Sequence, residues 1–362
     1  MRVLFLQQQP CIRSLKYAVG LRSASDGVRL AFAYQGQRLN DWYGTGDDVF
    51  DEWFHLGHDV EGGLRDALAA FRPDVVHSHN LPDRLSVLAL SLLDGRAPVV
   101  HDSHDVQSLR RTPYEDGFPE PADPLQLERA AVEGCAALIA VSDEMLAELR
   151  ARYRLPARHG CFANYALARD VPAELPPPDR PARSPLRLVY QGTLSTNGGH
   201  YDLRQVFRAA LAGGTVTIDV FPSRPSPAYE AMAEEVPGLR VRPGLDPRRL
   251  LAVLPEYDAG WAVFDPTLNA AHLHTALPNK VYEYLGCGLP VVTMGHRAIA
   301  GLLARHGVGI DVGGRDGLAT LGDRLLAADL AGLRARVAAV RRDLTVEANI
   351  QPVVDLYKTV VG

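Results

Sequence analysis

At 362 residues the chain exceeds ordinary single-domain size, so two domains of roughly 100–200 residues, each with its own core, are expected. Its 38 Lys and Arg against 43 Asp and Glu give a formal charge of −5, with no block of basic residues, which excludes a nucleic-acid footprint. The four cysteines, Cys11, Cys135, Cys161 and Cys287, form no CxxC pair, which excludes a disulfide framework and a structural zinc site and fits a reducing cytoplasm.

The opening residues 1–6 are a short apolar run broken by three glutamines, so they read as a first strand and not a signal peptide. No later run approaches the ~18 apolar residues that a membrane span needs. Residues 12–22 carry helical periodicity, 28–34 a second strand, and 40–57, rich in Gly, Asp and aromatics, an irregular excursion. A helix is expected over 60–71, a strand over 74–79, a helix over 82–93 and a strand over 98–102. A helix near 124–134 leads to a strand over 137–141, and Ser142 with Asp143 caps a helix to about 153.

The proline-rich run 175–185 has linker composition and places the domain boundary there, with residues 1–175 before it and 186–345 after it. Strands are then expected over 186–190, 216–221, 239–241, 259–264, 290–293 and 309–312. Helices fall over 200–211, 227–235, 246–254, 278–285, 297–305, 317–327, 330–342 and 346–357. Short apolar strands alternating with helices mean parallel sheets covered on both faces, an α/β chain of two doubly wound halves. Ligands of such sheets bind beyond the carboxyl ends of the strands, which places a ligand between two facing halves.

Residues 277–292 concentrate the chemistry. Pro278 suits the first turn of a helix and Asn279 is a capping type, while Val281, Tyr284 and Leu285 form an apolar stripe and Gly286 and Gly288 end the helix. Lys280 and Glu283 then stand one turn apart near the positive helix end, an arrangement suited to a phosphorylated, hydroxyl-bearing ligand. An ordinary αβ unit with a solvated Lys–Glu pair accounts for the same spacing.

The stretch Leu277-Pro278-Asn279-Lys280-Val281-Tyr282-Glu283-Tyr284-Leu285, with Gly288-Leu289-Pro290 after it and Val189-Tyr190-Gln191-Gly192-Thr193-Leu194 earlier, resembles the retaining glycosyltransferases of family 4. So do Pro10-Cys11-Ile12-Arg13, the strand ending His77-Ser78-His79, the run His101-Asp102-Ser103-His104-Asp105 and Ala140-Val141-Ser142-Asp143. The likeness covers nearly the whole chain. It implies the GT-B fold, two facing Rossmann-like domains with a cleft between them, an acceptor-side first domain, a nucleotide-sugar-binding second domain and a last helix, 346–362, crossing back to the first. The implied reaction moves a sugar from a nucleotide diphosphate sugar to a small-molecule, lipid-linked or protein acceptor. It proceeds on one face, the leaving diphosphate taking the acceptor proton, with no metal and no cofactor. By match, Glu283 holds the ribose hydroxyls, Lys280 and the amides near Pro278 and Asn279 face the diphosphate, and Gly192 lets the backbone approach the leaving phosphate.

Two positions depart from the family pattern. Thr275 stands where the family often has a second glutamate. Thr193 and Gly198 stand where its loop normally supplies Arg and Lys to the diphosphate, and each lost charge-assisted contact removes about 1.5–3 kcal/mol of leaving-group stabilisation. Lys280 is the first candidate to replace them, then the Gly198 and Gly199 amides as an anion nest, with His200 or Arg224 as further substitutes. The resemblance gives His104, on the loop after its strand, a place beside the transferred sugar. A metal held by His101, His104 and the two aspartates needs a partner from His77 or His79, and satisfied loop histidines account for the same run. His272 and His274, just ahead of the helix at 278, read as acceptor or sugar contacts or as polar loop residues, the latter favoured. A sugar-nucleotide epimerase of the same fold, and an inert member partnering an active enzyme, are the alternative functions.

Overall fold

The computed structural model describes residues 1–37, 46–80, 83–111 and 123–362. The chain divides into two units, one comprising Met1–Asn164 with Val346–Gly362 and the other Tyr165–Thr345. The first is built on a seven-stranded sheet, β1 (Arg2–Gln7), β2 (Arg29–Tyr34), β3 (Glu52–His55), β4 (Val75–His79), β5 (Val99–Ser103), β6 (Ala137–Ala140) and β7 (Arg158–Cys161). Its spatial order is β3-β2-β1-β4-β5-β6-β7. The second has β8 (Leu186–Gly192), β9 (Val216–Pro222), β10 (Leu239–Val241), β11 (Ala259–Trp261), β12 (Val291–Thr293) and β13 (Gly309–Asp311), in the order β10-β9-β8-β11-β12-β13. Every paired strand runs parallel to its neighbour.

Parallel strands connected by helices need both faces covered, so their sequences are continuously apolar where they are central. Val3, Leu4, Phe5 and Leu6 of β1 are fully buried. Leu4, Leu6, Ala31, Ala33 and Val76 pack on one face with Leu85, Ala89 and Phe71 from the covering helices. On the other face Phe5 stacks against Phe32 and His77, with Tyr17 of the helix Ile12–Ala24 edge-on to His77. In the second unit Trp261, Tyr190, Phe207, Tyr229 and Tyr284 are the largest buried rings. Polar residues close the helix starts as expected, Ser142 accepting from the Met145 amide and Asp246 from that of Arg249.

The order reverses between β1 and β4 in one sheet and between β8 and β11 in the other. At such switch points the connecting helices leave in opposite directions and open a crevice at the carboxyl ends of the strands. The carboxyl end of β8 is Gln191–Gly192, and those of β4 and β5 are His79 and Ser103.

Three expectations are corrected and one strand is added. The stretch 40–57 contains an edge strand, β3, whose Glu-Trp-Phe-His sequence lacks apolar continuity because it is only half buried; residues 40–45 lie outside the described residues. The edge strand β7, Arg-His-Gly-Cys, escapes notice for the same reason. The terminal helix is broken into Val346–Asn349 and Gln351–Val361, since Pro352 has no amide to continue the ladder. The chain passes from the first unit to the second after Asn164, ahead of the proline-rich run. That run is fastened within the second unit. Arg180 donates to the carbonyls of Pro255 and Tyr257 and Arg334 to that of Arg180 at 3.2 Å, while just ahead of the run Arg341 donates to the carbonyls of Pro172 and Ala173.

Candidate functional site

In the second unit the helix Asn279–Gly286 is seated by Tyr284, whose hydroxyl accepts the Gln191 amide at 3.1 Å and whose ring lies against β11 at Gly260. A Cβ at Gly260 would stand 2.3 Å from ring carbons of Tyr284, so only glycine admits the ring. The helix start is thereby held beside the carboxyl end of β8. Pro278, with φ −70° and ψ 153°, occupies the cap position, and Asn279 is the first helical residue rather than the cap.

Lys280 points inward. It is buried, and its Nζ lies 4.0 Å from the ring centre of Tyr190 and 5.0 Å from that of Phe264. The ammonium has no hydrogen-bond partner among the described residues. Burial lowers its pKa from 10.5 to about 7, against a smaller upward pull from Glu283. Gly192, with φ +125°, borders the same space, and a Cβ there would come within 3.0 Å of the Nζ. Glu283 accepts a hydrogen bond from the Gln191 side-chain amide. Lys280, Glu283 and Gly192, matched separately in the sequence, are thus brought together, with Gln191 as an unforeseen member.

The loop 193–203 does not offer the nest expected of it. The Gly198 amide donates to Asp202 at 3.2 Å and the Gly199 amide to Asn197 at 2.8 Å, so neither faces a ligand. The Thr193 carbonyl accepts from Tyr190, and Arg204 forks onto Asp202 at 2.8 and 2.6 Å. His200 is buried, with Nδ1 3.1 Å from the Asn269 amide nitrogen. His272 and His274 belong to a short helix, Ala270–Thr275, and not to a loop. Thr275 hydrogen-bonds the His272 carbonyl at 2.8 Å. His296, also missed, accepts the Phe264 amide at 3.1 Å, and burial lowers its pKa to about 4.

The first unit holds a separate buried cluster at the ends of β4 and β5. Alternation along a strand sends His77 and His79 to one face and Ser78 to the other. Asp102 shares the face of His79, its register partner, while His101 pairs with Ser78. Accordingly Asp102 lies 3.4 Å from His77 Nε2 and 3.8 Å from His79 Nδ1, whereas His101 contacts Ser86 at 2.9 Å and stands 3.3 Å from Asp83. The four-residue metal set from the run 101–105 is therefore split between two faces. Of the described residues, His77, His79 and Asp102 bring ligand atoms within 4.8 Å of one another. Arg13 already occupies that carboxylate, its Nε at 3.1 and 3.0 Å from the two oxygens, and its remaining nitrogens reach Asn164, Tyr17 and the Phe162 carbonyl. A cation would have to displace a buried guanidinium, so Asp102 reads as the ion-pair partner of Arg13 with His77 and His79 packed beside it.

Burial lowers the pKa values of His77, His79 and His104; it pushes Asp102 up, but Arg13 together with His77 and His79 holds that carboxylate well below the usual range. His77 Nδ1 meets the Tyr357 hydroxyl of the last helix. His104 follows β5 as expected, its backbone amide donating to Asn80 at 3.1 Å and its ring 6.1 Å from that of His79.

Two Rossmann-like units with these strand orders match known structures over the full length. The fold is GT-B. Residues 53–160 match the family model Glycosyltransferase Family 4. HepE of Anabaena in complex with UDP-glucose superimposes with TM-score 0.72 at 15% identity, over 99% of this chain and 100% of that one. Sucrose-phosphate synthase of Thermosynechococcus elongatus gives 0.69 at 15%, over 99% and 98%. A candidate UDP-N-acetylglucosamine 2-epimerase of Listeria monocytogenes gives 0.62 at 14%, over 99% and 96%. No curated protein matches the sequence. Among the described residues of this GT-B chain, no helix is long and apolar enough to cross a membrane.

Proposed function

We propose that the chain is a metal-independent, retaining glycosyltransferase that takes a nucleotide diphosphate sugar as donor and a small-molecule, lipid-linked or protein acceptor. The observation that carries this is the buried Lys280 Nζ without a hydrogen-bond partner among the described residues, beside Gly192 at the carboxyl end of β8 and one helical turn from Glu283. A buried amine is costly unless an anion completes it, and a diphosphate brought there by a ribose-holding carboxylate does so. The family match over residues 53–160 supports the transferase class, and a GT-B relative in complex with UDP-glucose supports the donor class.

In this reading the two phosphates lie against Lys280 and the Gly192 backbone, and Glu283 accepts the ribose hydroxyls. The leaving diphosphate takes the acceptor proton on the face from which it departs. The chain contributes positioning and neutralisation of the developing phosphate charge, both available from preorganised groups. His104 keeps its assignment to the transferred sugar by resemblance alone, and dispersed free cysteines fit a reducing, cytoplasmic setting.

The test is incubation with UDP-, GDP-, TDP- and ADP-sugars. Slow release of free nucleotide from one donor is expected. Interconversion of sugars without release would instead establish the epimerase reading, which the Listeria neighbour motivates. Absence of both release and thermal shift with every donor would sink the enzyme readings and leave the inert partner.

A further inference from the structure

We propose that Gln191 is a second ribose-binding residue. Its side-chain amide orients the Glu283 carboxylate, and its own Oε1 accepts one hydroxyl of the donor's vicinal diol while Glu283 accepts the other. This rests on the donor reading above and adds to it a residue that the sequence comparison did not assign.

Gln191 is the penultimate residue of β8 and is buried, with its backbone paired to β9 at Phe221 and its amide fixed on Tyr284 at 3.1 Å. Oxygen and nitrogen of a glutamine amide are ordinarily hard to tell apart, but the neighbour decides here. An ionised carboxylate only accepts, so the NH2 group must face Glu283 and the oxygen must face away from it. That oxygen is buried and has no partner among the described residues. A buried carbonyl oxygen left unmatched calls for a donor, and this one stands beside Glu283 at the carboxyl end of β8, where a ligand hydroxyl can supply it. Lys280 Nζ is likewise buried and unmatched beside the next residue, Gly192. One short segment therefore presents an acceptor and a cation, both incomplete. A ribose diphosphate supplies the missing complement to each, a hydroxyl for Gln191 and an anion for Lys280.

The division of labour is chemically specific. Arginine or lysine at 191 would pair with Glu283 but would offer no acceptor, and an aliphatic residue would leave the carboxylate unrestrained. Glutamine does both because one end of the amide donates and the other accepts.

The experiment compares binding of the tightest of UDP, GDP, ADP and CDP with that of its 2′,3′-dideoxy analogue, using Gln191→Leu, Gln191→Glu and the parent. Loss of a hydrogen bond linked to a charged group predicts about ten- to a hundredfold weaker binding of the ribonucleotide by Gln191→Leu, with the dideoxy analogue changed less than about twofold. Gln191→Glu keeps the shape but sets two carboxylates together, so its ribonucleotide affinity should fall at pH 8 and recover towards pH 5.5, where the pair shares a proton. That recovery would not follow from a folding defect, and melting curves of both variants control for one. Equal losses for the ribo- and dideoxynucleotide, or unchanged affinity in both variants, would overturn the role of Gln191 while leaving the donor reading intact. Failure of the parent to bind any of the four nucleotides would overturn both.

Discussion

Lys280 carries the most chemical information of any single residue. In the ligand-free protein its amine is largely neutral above about pH 7, because burial deprives the ammonium of solvation. A bound diphosphate restores the charge, so binding above that pH takes up a proton. Donor affinity should therefore fall by up to about tenfold per pH unit above 7 and level off below it. Calorimetry in buffers of different ionisation heat should show the proton uptake, and Lys280→Met should abolish both the slope and the uptake. Parallel pH profiles for parent and variant would refute this role. Asp102 stands at the opposite limit, a carboxylate kept ionised in the core by Arg13. Arg13→Met leaves that charge unpaired and should cost about 3–5 kcal/mol of stability, whereas Arg13→Met with Asp102→Leu should recover much of the loss. Urea unfolding of the two variants measures the difference.

Elements explain why these residues meet. Val281, Tyr284 and Leu285 are the apolar stripe seen in the sequence, and all three are buried. What aims Lys280 is the seating of Tyr284 on Gly260 and Gln191, contacts between three elements far apart in the chain. Gly198 and Gly199 illustrate the opposite case, since a glycine pair suits an anion nest only if its amides stay unengaged, and Asp202 and Asn197 engage them. In the first unit, the helix Ile12–Ala24, β4, β5 and the last helix are joined through Arg13, His77, Asp102 and Tyr357. Tyr357→Phe removes the hydroxyl that meets His77 and should destabilise the first unit by about 1–3 kcal/mol, the cost of a buried polar group left unmatched. Thermal denaturation of the variant against the parent tests this; an unchanged midpoint would deny the last helix that polar anchor.

On the scale of the molecule the first unit is discontinuous, its terminal helices returning after 181 residues of the second. Val346 and Ile350 pack against Gly20, and Val353, Val354 and Tyr357 are buried. A fragment ending at 164 should accordingly be unfolded or aggregated by circular dichroism and light scattering. The chain enters and leaves the second unit at neighbouring points, marked by the bridge between Ala166 and Thr345, so a short linker joining residue 164 to 346 should restore cooperative unfolding. A cooperative transition in the shorter fragment would show the last helices to be dispensable. Most central strands and helices were legible in the sequence, because a strand buried on both faces must be continuously apolar and a helix must show its 3.6-residue stripe. Edge strands β3 and β7 were not, since a half-buried edge imposes no such pattern. By itself the sequence determined the two α/β halves, the helix at 278–285 and the residue types for a phosphate and a diol. Only the tertiary structure decided that Gln191 shares Glu283, that Lys280 is buried without a hydrogen-bond partner among the described residues, and that Arg13 takes the Asp102 carboxylate. Those outcomes depend on packing between distant segments, and neither local periodicity nor spacing encodes which side chains will meet.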